Sequence, residues 1–68
     1  MREKAVLARI TAGDRHIADM VKVIYRSTDP RLHGAAALSV LAHIEDLIEK
    51  GEVQTDGAPS LIGAYFPT

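Results

Sequence analysis

The residues of this 68-residue chain best suited to chemistry lie in "HGAAALSVLAHIEDLIEKGEV", from His33 to Val53. The stretch holds two histidines and the carboxylates Glu45, Asp46, Glu49 and Glu52. A zinc site needs three or four such ligands converging on one point. His33 and His43 are ten residues apart, which on one helix means roughly 15 Å along the axis and about 80° around it. They cannot share an ion. His43 and Asp46, at i and i+3, share a helix face but supply only two ligands. His16 lies elsewhere in the chain, and there is no cysteine. Nucleophilic catalysis finds no setting either, because Ser27, Ser39 and Ser60 lack the G-x-S-x-G turn that exposes a catalytic serine. No glycine-rich phosphate loop is present. The acids at Glu45, Asp46 and Glu49 fall on an open helix face, where burial does not tune a proton donor. The chain alone does not read as an enzyme, and no cofactor is expected in it.

Groove reading by the same helix is also disfavoured. Base edges are read by Arg, Lys, Asn or Gln, and phosphates by Arg or Lys. The expected polar face is Ser39, His43, Asp46 and Lys50, and none of the four reader types occurs between Leu32 and Glu49. The net charge of −1 is unevenly spread. Residues 1–31 carry seven basic side chains and four acids, whereas residues 32–68 carry one and five. A basic face on the first two helices, through Arg2, Arg9, Arg15, Lys22 and Arg26, is therefore the only phosphate-binding surface the sequence offers. Three aromatic residues are too few for a base-stacking platform.

Three helices and a hairpin must position these groups. Val6, Leu7 and Ile10 make an apolar stripe on a helix over about 2–11, which Gly13 ends. Ile17, Met20, Val21 and Ile24 line one face of a second helix over about 17–27, with His16 and Asp19 in the places of a capping box and "TDP" as its stop. Ala37, Leu41, Ile44 and Ile48, flanked by Val40 and Leu47, line a third helix over about 31–50, closed by Gly51 with Lys50 at the negative end of its dipole. "EVQT" and "SLIGAYF" bracket "DGAP", a hairpin signal over about 52–66, with Pro59 limiting the ladder. A short strand near 15–17 would add a third strand. The expected fold is mainly α with a β-hairpin (α+β): one winged helix-turn-helix domain spanning 1–68. No apolar run approaches the roughly 20 residues of a membrane span, and no secretory h-region opens the chain. With no cysteine, the expected setting is a reducing one, the cytoplasm.

The stretch "IADMVKVIYRSTDPRLHGAAALSVLAHIEDLIEKGEV" resembles the winged-helix domain at the C-terminus of many metallo-β-lactamase-fold hydrolases. The resemblance is carried by Val21, Ile24 and Tyr25; by Pro30, Leu32 and His33; by Ala35 to Ala37; and by His43, Ile44, Leu47, Gly51 and Val53. The capping position before the second helix departs from the family's Thr and Glu, and nothing after Thr55 matches well. The resemblance implies that this is the C-terminal domain of a longer protein. The metal, zinc, and the HxHxDH motif would sit in a preceding catalytic domain. That motif is not present here, so no catalytic or metal residue carries over. In some such relatives the whole protein cuts RNA or hydrolyses thioester-like or small ester substrates. The expected role is that of an accessory domain packing on the catalytic domain of the same parent chain and helping shape substrate access. The acidic polar face, the over-apolar start of the third helix and the family pattern motivate that role, with Tyr25, His33, Ala36 and His43 as the candidate contacts. Nucleic-acid binding through the basic face is the alternative.

Overall fold

The computed structural model describes residues 2–68. Met1, the first residue of the expected domain, lies outside them. Helix α1 spans Arg2–Ala12, α2 Ile17–Ile24 and α3 His33–Glu49, the last preceded by a 3₁₀ turn, Pro30–Leu32. Strands β1 (Val53–Thr55) and β2 (Tyr65–Pro67) then pair antiparallel. Three helices followed by a two-stranded wing make a winged helix.

Helix α2 ends three residues before the expected Ser27. Its inner stripe would continue at Ser27 and Thr28, which are polar, so the gain from burial stops with Ile24 and Tyr25. Tyr25 leaves the helical region at φ −110°, ψ 26° while its N–H still donates to Val21 O. "TDP" begins the next element as well as ending this one. The Asp29 carboxylate accepts from the Arg31 N–H at 2.9 Å, and Pro30 takes the first-turn position where a missing N–H costs nothing. The capping box expected ahead of α2 is not formed. His16 makes no side-chain cap bond. Its Nδ1–H donates to Gly63 O of the wing at 3.2 Å instead.

Helix α3 is the axis of the core. Ala36, Val40, Ile44 and Leu47 are its buried residues, with Ala37, Leu41 and Ile48 packed beside them. The deepest line therefore runs one residue earlier than the expected stripe at every position but Ile44. Val6 and Ile10 from α1, Ile17, Met20 and Val21 from α2, Val53 and Tyr65 complete the cluster. Gly51, at φ +78°, ends α3 in the left-handed conformation that favours glycine. The Glu52 N–H returns to Leu47 O and the Gly51 N–H to Ile48 O, a Schellman pair that turns the chain into β1.

The hairpin is wider than "DG" implies. Thr55 pairs with Tyr65, so nine residues, not a two-residue turn, connect the strands. The third strand shrinks to one backbone hydrogen bond, Tyr65 N–H to Arg15 O at 2.8 Å. Pro59 lies in the loop, six residues before Tyr65, and so does not border the hairpin ladder, which pairs Val53–Thr55 with Tyr65–Pro67.

Candidate functional site

The three histidines are held apart, each by its own partner. His16 faces the wing, as above. The His33 Nε2–H donates to Thr28 O at 3.2 Å, fastening the start of α3 to the loop before it. The His43 Nδ1–H donates to Glu3 Oε1 at 3.1 Å, from α3 to α1. All three partners are acceptors only, which fixes the proton on the bonded nitrogen. Among the described residues, no group of three or more His, Cys, Asp or Glu side chains is placed to hold a metal ion.

His43 instead belongs to an ionic cluster. The Glu3 carboxylate, its side chain 17% exposed, also receives Lys50 Nζ at 2.8 Å, and Lys50 reaches Asp46 Oδ2 at 2.8 Å. Hydrogen bonding to Asp46, then to Glu3, raises the Lys50 ammonium above its ordinary value, and the Lys50 bond holds the Asp46 carboxyl below the usual carboxylate range. The cluster ties the first turn of α1 to the last turn of α3. It consumes three of the four residues expected to form the polar face of α3, His43, Asp46 and Lys50.

The face α3 turns outward is different from the one expected. Ala35, Leu38, Ser39, Ala42, Glu45 and Glu49 are exposed, and Leu32 just before the helix joins them. Leu32 is 57% and Leu38 59% exposed. Of the four candidate contacts, Ala36 is 7% exposed and belongs to the core, because the outward alanines are Ala35 and Ala42. Tyr25 is half-buried beneath the Arg2 guanidinium, 4.3 Å above its ring. His33 and His43 are half-buried with the partners named above. Sequence periodicity did not single out Leu32 and Leu38. A helical wheel centred on Val40 and Ile44 would have placed Leu38 on the far side.

Four of the five basic residues are likewise engaged. Arg9 grips Asp14 with two hydrogen bonds, at 2.8 and 3.2 Å. Arg15 donates to the carbonyls of Tyr65 and Ile10 and lies over the Phe66 ring. Lys22 sits 3.9 Å from Asp19. Arg2 covers Tyr25, and Arg26 is exposed on the turn after α2. An open groove of about 570 Å³ is lined by Arg15, Gln54, Asp56 and Phe66 among others. Its one guanidinium is already bonded to backbone.

The ion pairs set an acid limit on stability. The Arg9 hydrogen bond holds the Asp14 carboxyl below the usual carboxylate range, and the Arg31 bond does the same for Asp29. A depressed carboxyl contributes stability that is fully present above its unfolded value, about pH 4, and is lost as pH falls through the lower folded value. The thermal midpoint should therefore drop as the medium is acidified below about pH 4. In Asp14→Asn the acid part of that drop should be smaller. Parallel acid profiles for the two proteins would show that the Arg9–Asp14 pair contributes nothing.

Helices, wing and outward face together define a winged-helix domain whose third helix lacks nucleic-acid readers. Residues 17–60 match the family described as the beta-lactamase associated winged helix domain, and the chain belongs to that family. No curated protein and no solved structure matches it. No described helix is long and apolar enough to cross a membrane.

Proposed function

We propose that this chain is an accessory interaction domain that packs on a metallo-β-lactamase-fold catalytic domain and helps shape access to its active site. The reaction, with its zinc, would belong to that domain. One observation carries the reading. The helix that a winged helix would lay in a groove turns alanine, leucine and glutamate outward, with no basic residue between Leu32 and Glu49. Phosphate contacts dominate nucleic-acid affinity, so such a face repels a duplex. It suits a protein surface. The family's association with β-lactamase-type proteins supports the same partner.

The test is to produce the accompanying β-lactamase-type domain with and without this one. The version lacking it should melt at lower temperature and show altered KM. Unchanged stability together with unchanged activity would remove the proposal. The basic side chains support nucleic-acid binding less, because Arg9 and Arg15 are engaged within the fold. Titration with single-stranded RNA at low salt should accordingly show weak binding.

A further inference from the structure

Resting on that reading, we propose that the outward face of α3 is the docking surface, and that it takes a part of the catalytic domain with an apolar centre bordered at one end by lysine or arginine. Successive residues turn by about 100° on a helix, so Ala35, Leu38, Ala42, Glu45 and Glu49 fall in one sector facing away from Val40 and Ile44. Leu32 extends the sector at its start. A single exposed leucine is ordinary. Here the two leucines stand at the uncharged end of one continuous face, and that face is ordered by charge along its length. From Leu32 to Ala42 it carries no charge. Its last two turns carry Glu45 and Glu49. The nearest basic residue in sequence, Lys50, is committed to Glu3 and Asp46. A cation brought by a partner would meet both glutamates and the negative end of the α3 dipole together.

The same ordering argues against two other occupants. A nucleic-acid backbone meets carboxylates. A second copy of this chain fits no better. Two α3 helices packed antiparallel about a two-fold axis would press the glutamates of each against the uncharged half of the other, desolvating them without a counter-ion. Packed parallel, the glutamates would oppose each other. A partner supplying its own cations avoids both costs. The most exposed large apolar side chain among the described residues, Ile62 at 89%, lies on the wing between Leu61 and Gly63, with no charged residue from Gly57 to Phe66 to orient a partner.

Calorimetric titration of this chain with the accompanying β-lactamase-type domain, made as a separate polypeptide, decides the matter. Leu38→Glu should weaken binding by about tenfold or more, as removal of a central apolar contact does. Glu45→Lys with Glu49→Lys should weaken it and flatten its dependence on salt. Ile62→Ser and Arg26→Glu should stay within about twofold, the range of residues outside an interface. Circular dichroism checks that each variant is folded, which the exposure of these positions favours. If Ile62→Ser weakens binding and Leu38→Glu does not, the docking face is wrong while the interaction reading stands. If the unaltered chain does not bind, both fall. A concentration-dependent dimer in sedimentation that Leu38→Glu abolishes would replace the catalytic domain by a second copy as the occupant.

Discussion

Replacing Ile44 by alanine is expected to bring this domain close to unfolding. Ile44 is fully buried at the centre of α3, in the one cluster to which all three helices and both strands contribute. Truncating a buried isoleucine costs about 2–5 kcal/mol, the loss of transfer free energy plus the cavity left behind. At roughly 0.05–0.15 kcal/mol per residue, a chain of this length has about 3–10 kcal/mol in total. It has neither a disulfide nor a second core to draw on. Urea melts followed by far-ultraviolet circular dichroism should show the Ile44→Ala midpoint far below that of the unaltered chain. Leu38→Ala, on the same helix but exposed, should stay within about 0.5 kcal/mol. Equal losses at the two positions would mean that α3 is rotated from the orientation described above.

That contrast marks how far the helical pattern could be read from the chain. The spacing of Val6 and Ile10 and of Ile17, Met20 and Val21 reappears in the core, whereas on α3 only Ile44 of the expected stripe is fully buried, joined by the flanking Val40 and Leu47. Burial by neighbouring helices leaves a 3.6-residue signature in the sequence, and three such stripes plus a glycine stop are enough for a winged helix. The turn chemistry was less legible. "TDP" is a stop signal by its pattern, yet α2 ends earlier, at Ile24, and Asp29 and Pro30 start the next element. The "DG" hairpin signal was overridden because Tyr65, not a nearer residue, fills the core beside Val53. Its buried hydroxyl donates to Ser60 O and accepts from the Ser60 N–H, closing the long wing loop on itself. A tertiary contact of this kind has no local pattern to announce it.

Side-chain assignments show the same division. The charge asymmetry of the two halves could be counted, but which charges were committed could not. Glu3 is separated from His43 by 40 residues and from Lys50 by 47. Those pairings follow from how α1 crosses α3, so His43 looked like a surface residue when it is a tie between helices. The acidic outer face of α3 was legible as composition. Its division into an uncharged and an anionic half needed the helix orientation.

Arg15 is where the two kinds of reading differ most in consequence. By type and position it is a phosphate contact. In the fold its guanidinium donates to Ile10 O in the last turns of α1 and to Tyr65 O on β2, while its own carbonyl accepts the Tyr65 N–H. It lies 4.8 Å over the exposed Phe66 ring. One residue thus fastens the wing to the first helix. Hydrogen bonds from a charged donor contribute about 1.5–3 kcal/mol each and are not additive, so Arg15→Ala should cost about 2–3 kcal/mol. Arg15→Lys keeps the charge but not the planar fork that reaches two carbonyls, and should recover less than half of the loss. A phosphate contact would behave in the opposite way. Lysine would replace arginine there with little change, and the readout would be RNA affinity rather than stability. Urea melts of the two variants, with hydrogen exchange at the Tyr65 amide, separate the cases. Faster Tyr65 exchange and a lowered midpoint in both variants are expected. An unchanged midpoint with reduced low-salt RNA affinity in Arg15→Ala alone would return Arg15 to the nucleic-acid reading, and with it the basic face of α1 and α2.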